Sequence, residues 1–256
     1  MSLRRPYNLI RMHRNWPAYL LAKARGFPDG GFRFETRAGP SIPVRSDMLF
    51  IYKECFFEQI YMSGFKADPL AREGAVVLDI GANAGFFALQ ILCDHPDAQV
   101  ISFEPLSGNF RLMEENRRAF PQARWTIVNA AVAGHDGEIE IYSHAGPEAY
   151  TSGASMESSD EQTIATRCRA VTLKSILAEN RLDRVELLKL DCEGAEYEIL
   201  FGASDDDLAR IEHMAIETHE SAVPGHDHDA LARHLEQKGF AVKSWRVFLW
   251  AERAGA

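Results

Sequence analysis

The chain has 256 residues, 46% of them hydrophobic and 25% charged, and a formal net charge of −9. That composition is globular, long enough for one large α/β domain with an appendage or for two small domains, and its acidity argues against wholesale nucleic-acid binding. Cys55, Cys93, Cys168 and Cys192 form no C-x-x-C pair, no apolar run reaches the length of a membrane span, and no signal-peptide pattern is seen, so the expectation is a cytoplasmic chain without a zinc knuckle or transmembrane segment.

Residues 1–28 carry Arg4, Arg5, Arg11, Arg14, Lys23 and Arg25 and no acid, interleaved with Leu9, Ile10, Trp16, Tyr19, Leu20 and Leu21. Pro17 argues against one continuous helix. Such an arm suits a membrane surface, an acidic partner or an anionic substrate. The plainer reading packs its apolar residues on the main domain or on a second subunit, as in a homo-oligomer. Residues 26–43 read as loops with short strands, such as 32–36. Leu49, Phe50, Tyr52, Phe56, Phe57, Ile60 and Tyr61 then recur at spacings of three and four, predicting a helix over 47–62 that Gly64 stops. Its aromatics read as core, and its place before the first buried strand suits a lid over a ligand cleft. The expected division is an N-terminal arm and helical/β cap segment over 1–66 and a Rossmann-like domain over 67–256.

From Val76 the pattern alternates. Val76-Val77-Leu78-Asp79-Ile80-Gly81-Ala82-Asn83-Ala84-Gly85-Phe86-Phe87 reads as a buried strand, a tight loop and a helix start. Strands are predicted at 76–79, 100–104, 125–129, 185–191 and 213–218, with helices at 85–93, 107–119, 195–200 and 229–238. Between them lie a turn at 134–137, an exposed strand at 138–143 and a polar, small-residue stretch at 144–166 that reads as a mobile loop, with order returning at 171–177. Residues 240–252 are β-rich. This alternation predicts an α/β fold: a mostly parallel sheet with helices on both faces. Ligands of such sheets bind beyond the C-terminal strand ends, where Asp79, Glu104, Asn129, Asp191 and Glu217 all fall.

The glycine loop discriminates between nucleotides. A dinucleotide fingerprint would be G-x-G-x-x-G, but Asn83 stands where the second glycine belongs, and Asp79 before the turn would repel a phosphate. An acid and a small-residue loop suit S-adenosylmethionine instead, which carries a sulfonium, an ammonium, a ribose and an adenine but no phosphate. Glu104, 25 positions after Asp79 at the end of the next apolar run, stands where a ribose diol is held. The alternatives are a nicotinamide-dependent oxidoreductase and a non-catalytic nucleoside-binding protein of the same fold.

Leu190-Asp191-Cys192-Glu193-Gly194-Ala195-Glu196 and Glu217-Thr218-His219-Glu220 crowd acids at two further strand ends. Crowded carboxylates raise one another's pKa, one way to make a general base. Asp191, Glu193, Glu217 and His219 are therefore the catalytic candidates for taking a proton from a small-molecule or glycan hydroxyl. The same set admits Mg²⁺ or Ca²⁺, or a purely structural role. Glu196 and Glu198 read as lying on a solvated helix, and Glu193 and Glu196 as favouring its N-terminus. Gly225-His226-Asp227-His228-Asp229 reads as a polar loop in which Asp227 or Asp229 caps the next helix.

Leu78-Asp79-Ile80-Gly81-Ala82-Asn83-Ala84-Gly85, Phe103-Glu104-Pro105, Asn129-Ala130-Ala131 and Lys189-Leu190-Asp191-Cys192-Glu193-Gly194-Ala195-Glu196 together resemble the FkbM-type S-adenosylmethionine-dependent methyltransferases. The resemblance runs from about residue 47 to 219. Cys192 departs from it, since the family usually has an aliphatic residue there. It implies a class I methyltransferase with a seven-stranded sheet, of a kind that often methylates hydroxyls of sugars or polyketide-type natural products. It also implies that Asp79, Gly81 and Gly85 form the methionine-side loop, that Glu104 takes the ribose, that Asn129 lies on the adenine side, and that Asp191 and Glu193 face the methyl group and the acceptor; Asn83 and Pro105, within the same motifs, are further cofactor-binding candidates. The N-terminal arm and the stretch at 144–166 lie outside the strong motifs and are expected to set specificity.

Overall fold

The computed structural model describes residues 4–27, 30–144, 146, 150–151, 154–155 and 164–254. The chain opens with helices α1 (Arg4–Met12) and α2 (Trp16–Arg25), with Pro17 in the first turn of α2, where its missing N–H costs nothing. A hairpin of β1 (Phe32–Glu35) and β2 (Ser41–Val44) follows. The predicted helix over 47–62 is broken into pieces: a 3₁₀ turn (Ser46–Met48), α3 (Leu49–Lys53), a π turn (Glu54–Glu58) and a second 3₁₀ turn (Ile60–Met62). Gln59, at φ 49°, adopts the left-handed conformation that stops the helical run. Its side chain is tied down by a 2.8 Å bond to Asp94.

Then come β3 (Val76–Ile80), α4 (Phe86–Asp94), β4 (Gln99–Phe103), α5 (Ser107–Arg118) and β5 (Arg124–Val128). A side sheet follows, built from β6 (Ala131–Val132), β7 (Gly137–Ser143), β8 (Ala154–Ser155) and β9 (Ile164–Val171) in the order β6-β9-β7-β8. The loop expected over 144–166 thus gives way to strand at 164; most of the rest of it lies outside the described residues. The chain closes with α6 (Leu173–Glu179), β10 (Val185–Leu190), α7 (Glu196–Gly202), α8 (Asp205–Leu208), β11 (Ile211–Glu217), α9 (His228–Gln237), β12 (Phe240–Trp245) and β13 (Phe248–Arg253). Asp227 caps α9 by accepting from Ala230 N.

The main sheet has seven strands in the order β12-β13-β11-β10-β3-β4-β5, parallel from β11 to β5 with an antiparallel pair at one edge. The expected fold class, an α/β Rossmann-like sheet of seven mostly parallel strands with helices on both faces, is what the chain adopts. The chain leaves β3 toward β4 on one side while β10 enters on the other. The C-terminal ends of β3 and β10 therefore flank the switch point, where such sheets open a crevice.

Strand alternation divides the core in two. Leu78, Ile80, Ile101, Phe103, Leu188 and Leu190 face α6, α7 and α9. Val77, Val100, Trp125 and Leu187 face α4 and the N-terminal elements. The apolar pattern is interrupted in one row across three strands, where Lys189 pairs in register with Asp79 and Asp79 with Ser102; all three are buried.

The N-terminal arm packs on the main domain through its apolar residues. Leu9, Met12 and Tyr19 join the core, and Phe34, Tyr52 and Phe56 stack at 4.3 and 4.4 Å. His13 bonds Tyr52 at 2.7 Å, and burial lowers its pKa to about 4, so it packs as a neutral ring. Arg5 pairs with Glu58 and Arg11 with Asp94. Tyr7, Ile10, Leu20 and Leu21 face outward. No described helix is long and apolar enough to cross a membrane.

Gly64 does not act as a left-handed helix stop. A Cβ there would lie 1.9 Å from the indole of Trp250, whose Nε1 donates to the Tyr61 carbonyl at 2.9 Å. Gly64→Ala should therefore cost about 1–3 kcal/mol of overpacking, read as a lower denaturant midpoint; an unchanged midpoint would mean that this contact is not tight.

Candidate active site

A cavity of about 300 Å³ opens at the switch point, at the small end of the range for small-molecule sites. Beyond β4 and β5 it is walled by Phe103, Pro105, Leu106, Ala130, Ala131 and Val132, with Ile139 and Ile141 of β7. Beyond β10 and β11 it is lined by Asp191, Glu193, Glu217 and His219, with Glu54 of the π turn, and Glu104 follows β4 and bonds the loop after β3. No lysine or arginine lines it among the described residues, and its carboxylates set a field that disfavours a pyrophosphate and favours a cation.

Glu104 is buried and already engaged. It accepts from Asn83 N at 2.8 Å and Leu106 N at 2.9 Å, fixing both the glycine loop and the start of α5. Burial pushes its pKa up to about 7 against the pull of those two N–H groups. Asn83, at φ 53°, takes a left-handed conformation that asparagine tolerates. Its amide and that of Asn109 reach the Thr151 carbonyl at 3.2 and 2.9 Å, holding that residue across the cavity.

Three of the predicted cofactor residues do not line the cavity. Asp79 is fully buried beneath the loop, accepting from Ser102 Oγ at 3.0 Å and lying 3.3 Å from the Lys189 ammonium. Gly85 begins α4 against the Trp125 ring. Asn129 is exposed, and its amide donates to the carbonyls of Glu104 and Pro105 at 2.8 and 3.0 Å, so it braces the loop after β4. Gly81 does line the cavity, yet what it needs room for is protein: a Cβ there would lie 1.7 Å from the Asp191 carbonyl oxygen. The two strand-end turns meet at that point.

The acidic turn is organised by Glu196, which is not on a solvated helix face but fully buried. Its carboxylate accepts from Cys192 N at 2.8 Å and Gly194 N at 2.9 Å, and from His219 Nδ1 at 2.9 Å. The orphan N–H groups before α7 are thereby satisfied, and Glu193 is held at φ 54°, a strained conformation for a side chain of its size. Glu198, the other predicted surface acid, accepts from Gly134 N at 2.9 Å.

Three residues that are not among the sequence candidates complete the site. Tyr61 OH lies 2.7 Å from Asp191 Oδ2 and 3.0 Å from Glu217 Oε2. One hydroxyl hydrogen serves one of these at a time, so the two carboxylates compete for it. Burial and then the charge of Asp191 raise the pKa of Glu217. Glu54, from the π turn, is pushed to about 7 by burial and by Glu217, Glu58 and Asp191. Lys189 Nζ lies 3.5 Å from Asp191 Oδ2 under the cavity floor.

His219 stands 3.8 Å from Asp191 and 3.7 Å from Glu193 through Nε2. Burial opposes its charge, but the Glu196 hydrogen bond and the surrounding carboxylates outweigh burial and raise its pKa to about 10. It is an imidazolium at neutral pH. No group of three or more His, Cys, Asp or Glu side chains is arranged to hold a metal among the described residues. The Mg²⁺ or Ca²⁺ that the acids admitted on sequence therefore has no support; Lys189 and His219 supply the positive charge instead.

Residues 79–242, more than half of the chain, match the family described as the methyltransferase FkbM domain. The chain belongs to that family of S-adenosylmethionine-dependent methyltransferases. It is 26% identical over 206 residues to the 31-O-demethyl-FK506 methyltransferase FkbM of Streptomyces tacrolimicus, covering 67% of this chain and 74% of that protein. It is 25% identical over 228 residues to Methyltransferase 1 of Beauveria bassiana, covering 82% and 86%. It is also 31% identical over 232 residues to the AMB antimetabolite synthetase AmbE of Pseudomonas aeruginosa, but spans only 10% of AmbE's length.

The His219 pairing has a measurable consequence. Its pKa rises from 6.5 to about 10 on folding, so the pair stabilises the fold in full below pH 6.5, declines through the alkaline range and contributes nothing above about pH 10. In Glu196→Gln, NMR titration should find the His219 pKa lowered by one unit or more; an unchanged titration would contradict the assignment.

Proposed function

We propose that this chain transfers the methyl group of S-adenosylmethionine to a hydroxyl of a sugar, glycolipid or secondary metabolite. The observation that carries this reading is the cavity, walled by apolar residues beyond β4 and β5 and by carboxylates beyond β10 and β11, with Glu104 after β4. An apolar slot suits an adenine, a carboxylate suits a ribose diol, and a field of acids suits a sulfonium and an ammonium. The similarity to a protein named as a 31-O-demethyl-FK506 methyltransferase supports an oxygen acceptor.

In this reading Glu104 accepts from the ribose hydroxyls, and the loop at Gly81 and Asn83 receives the amino-acid portion. The cofactor, when bound, supplies an electrophilic methyl group on a sulfonium. The acceptor hydroxyl must lose its proton as it attacks, and a group at hydrogen-bond range must take it. The imidazolium of His219 is unable to do so at neutral pH. Glu193 is suited to it: part-exposed in the cavity wall, with a pKa pushed to about 7 chiefly by burial. His219 then steadies Glu193, and Asp191 and Glu217, joined through Tyr61, orient the acceptor. Residues 1–66 contribute Phe50, Ile51, Glu54 and Tyr61 to the wall beside these acids. That segment would therefore help select the acceptor.

Two experiments test the reading. Incubation of cell extracts with the enzyme and methyl-labelled cofactor, followed by mass spectrometry, should place the label on oxygen; a label on nitrogen or carbon would contradict the acceptor assignment. The protonated form of Glu193 cannot act as a base, so kcat/KM should fall as pH drops through about 7. Glu193→Gln should cut kcat by about 10²–10⁴-fold and remove that limb; a variant as active as the wild type would exclude Glu193 as the base.

A further inference from the structure

A charged lysine is among the least expected residues in the middle of a buried sheet. Lys189 occupies such a place, its side chain 3% exposed, between Asp79 of β3 and Ala215 of β11. Its Nζ donates to the Gly81 carbonyl at 2.7 Å and lies 3.3 Å from the Ile80 carbonyl. It stands 3.3 Å from Asp79 Oδ1, 3.5 Å from Asp191 Oδ2 and 5.2 Å from the centre of the Tyr61 ring.

A lysine kept only to neutralise Asp79 would aim its best bond at that carboxylate. Here the shortest contact goes to the glycine loop, while Asp79 Oδ1 has an ion-pair contact but no well-aligned hydrogen bond. Asp79 is itself fixed from behind: Trp125 Nε1 donates to Ser102 Oγ at 2.9 Å, and Ser102 Oγ donates to Asp79 Oδ2 at 3.0 Å. The ammonium sits beneath the place where Gly81, lacking a Cβ, presses on the Asp191 carbonyl. Burial alone would favour loss of its proton, but Asp191 and Asp79 outweigh burial and raise its pKa, so the clamp is charged.

We propose that Lys189 is a positioning residue that couples the two halves of the site, holding the Gly81 carbonyl of the cofactor loop and the Asp191 carboxylate of the acceptor turn on one ammonium. It touches no reacting atom. The inference rests on the proposed cofactor reading and adds to it the device that sets the spacing between cofactor and acceptor.

Removing Lys189 alone would bury an unpaired carboxylate, so the test is K189M in an Asp79→Asn background, compared with Asp79→Asn alone. Titration calorimetry with S-adenosylmethionine and S-adenosylhomocysteine reads the two variants. Positioning predicts that both compounds weaken together, by tenfold or more, at closely similar melting temperatures. A pure charge effect predicts the opposite for the sulfonium, which would bind more tightly once a nearby cation is gone. Equal affinity of the two variants for S-adenosylhomocysteine, or tighter binding of S-adenosylmethionine alone, overturns the inference. Should the methionine variant fail to fold, K189Q in the same background gives the same comparison, since its shorter neutral side chain also loses the Gly81 bond. Wild-type protein that binds neither compound contradicts the proposed function itself, and the inference falls with it.

Discussion

Five carboxylates share one cavity of about 300 Å³, and like charges so close together in a partly dry site are costly unless cations or protons intervene. Most of the local architecture follows from that constraint. Lys189 lies beneath Asp191, and His219 stands among Asp191, Glu193 and Glu196. Tyr61 bridges Asp191 and Glu217, and two backbone N–H groups hold Glu104. Even so, Glu54, Glu104 and Glu193 are left near pKa 7. A cationic ligand would relieve that strain, and the apolar lining of the same cavity suits an aromatic ring. The electrostatics of the cavity therefore favour one kind of cofactor before any acceptor is considered.

The sheet makes this possible by bringing sequence-distant turns together. Asp79, Lys189 and Ser102 fall in one register row because β10, β3 and β4 are adjacent and parallel. The turns after β3 and β10 touch because Gly81 has no side chain to keep them apart. Glu196 then shapes the second turn from inside, satisfying its N–H groups and anchoring His219 in one carboxylate. A polar network of this kind is stable only when nearly every member is satisfied; of its carboxylate oxygens, Asp79 Oδ1 lacks a hydrogen bond and is met by the Lys189 ammonium at 3.3 Å.

Much of this was legible in the sequence. The strand–loop–helix at 76–87, the acid after β4 and the D-x-E-G-A-E turn identify the sheet and the switch point, because each is a local pattern whose spacing fixes its geometry. What was not legible depends on three-dimensional neighbours. Tyr61 shares the periodicity of a core helix and Glu54 falls within the same stretch, and nothing local announces the π turn and left-handed Gln59 that interrupt it. Lys189 opens the Lys189-to-Glu196 motif with no role of its own until the register sets it beside Asp79. Glu196 looks like a helix-surface acid because the chain that buries it arrives 23 residues later as His219. Asn129 and Asp79 stand at strand ends as expected, but their side chains brace the loop rather than line the cavity. Strand-end position fixes neighbourhood, and side-chain contacts fix role.

The central claim is that a phosphate-free nucleoside sits between Glu104 and the Asp191 turn. A crystal structure with S-adenosylhomocysteine tests it most directly. The account predicts the ribose hydroxyls on the Glu104 carboxylate, the adenine against Pro105 and Ala131, and the sulfur toward Asp191 and Glu193. A nucleoside bound elsewhere, or a ribose that leaves Glu104 bonded only to its own backbone, would contradict it.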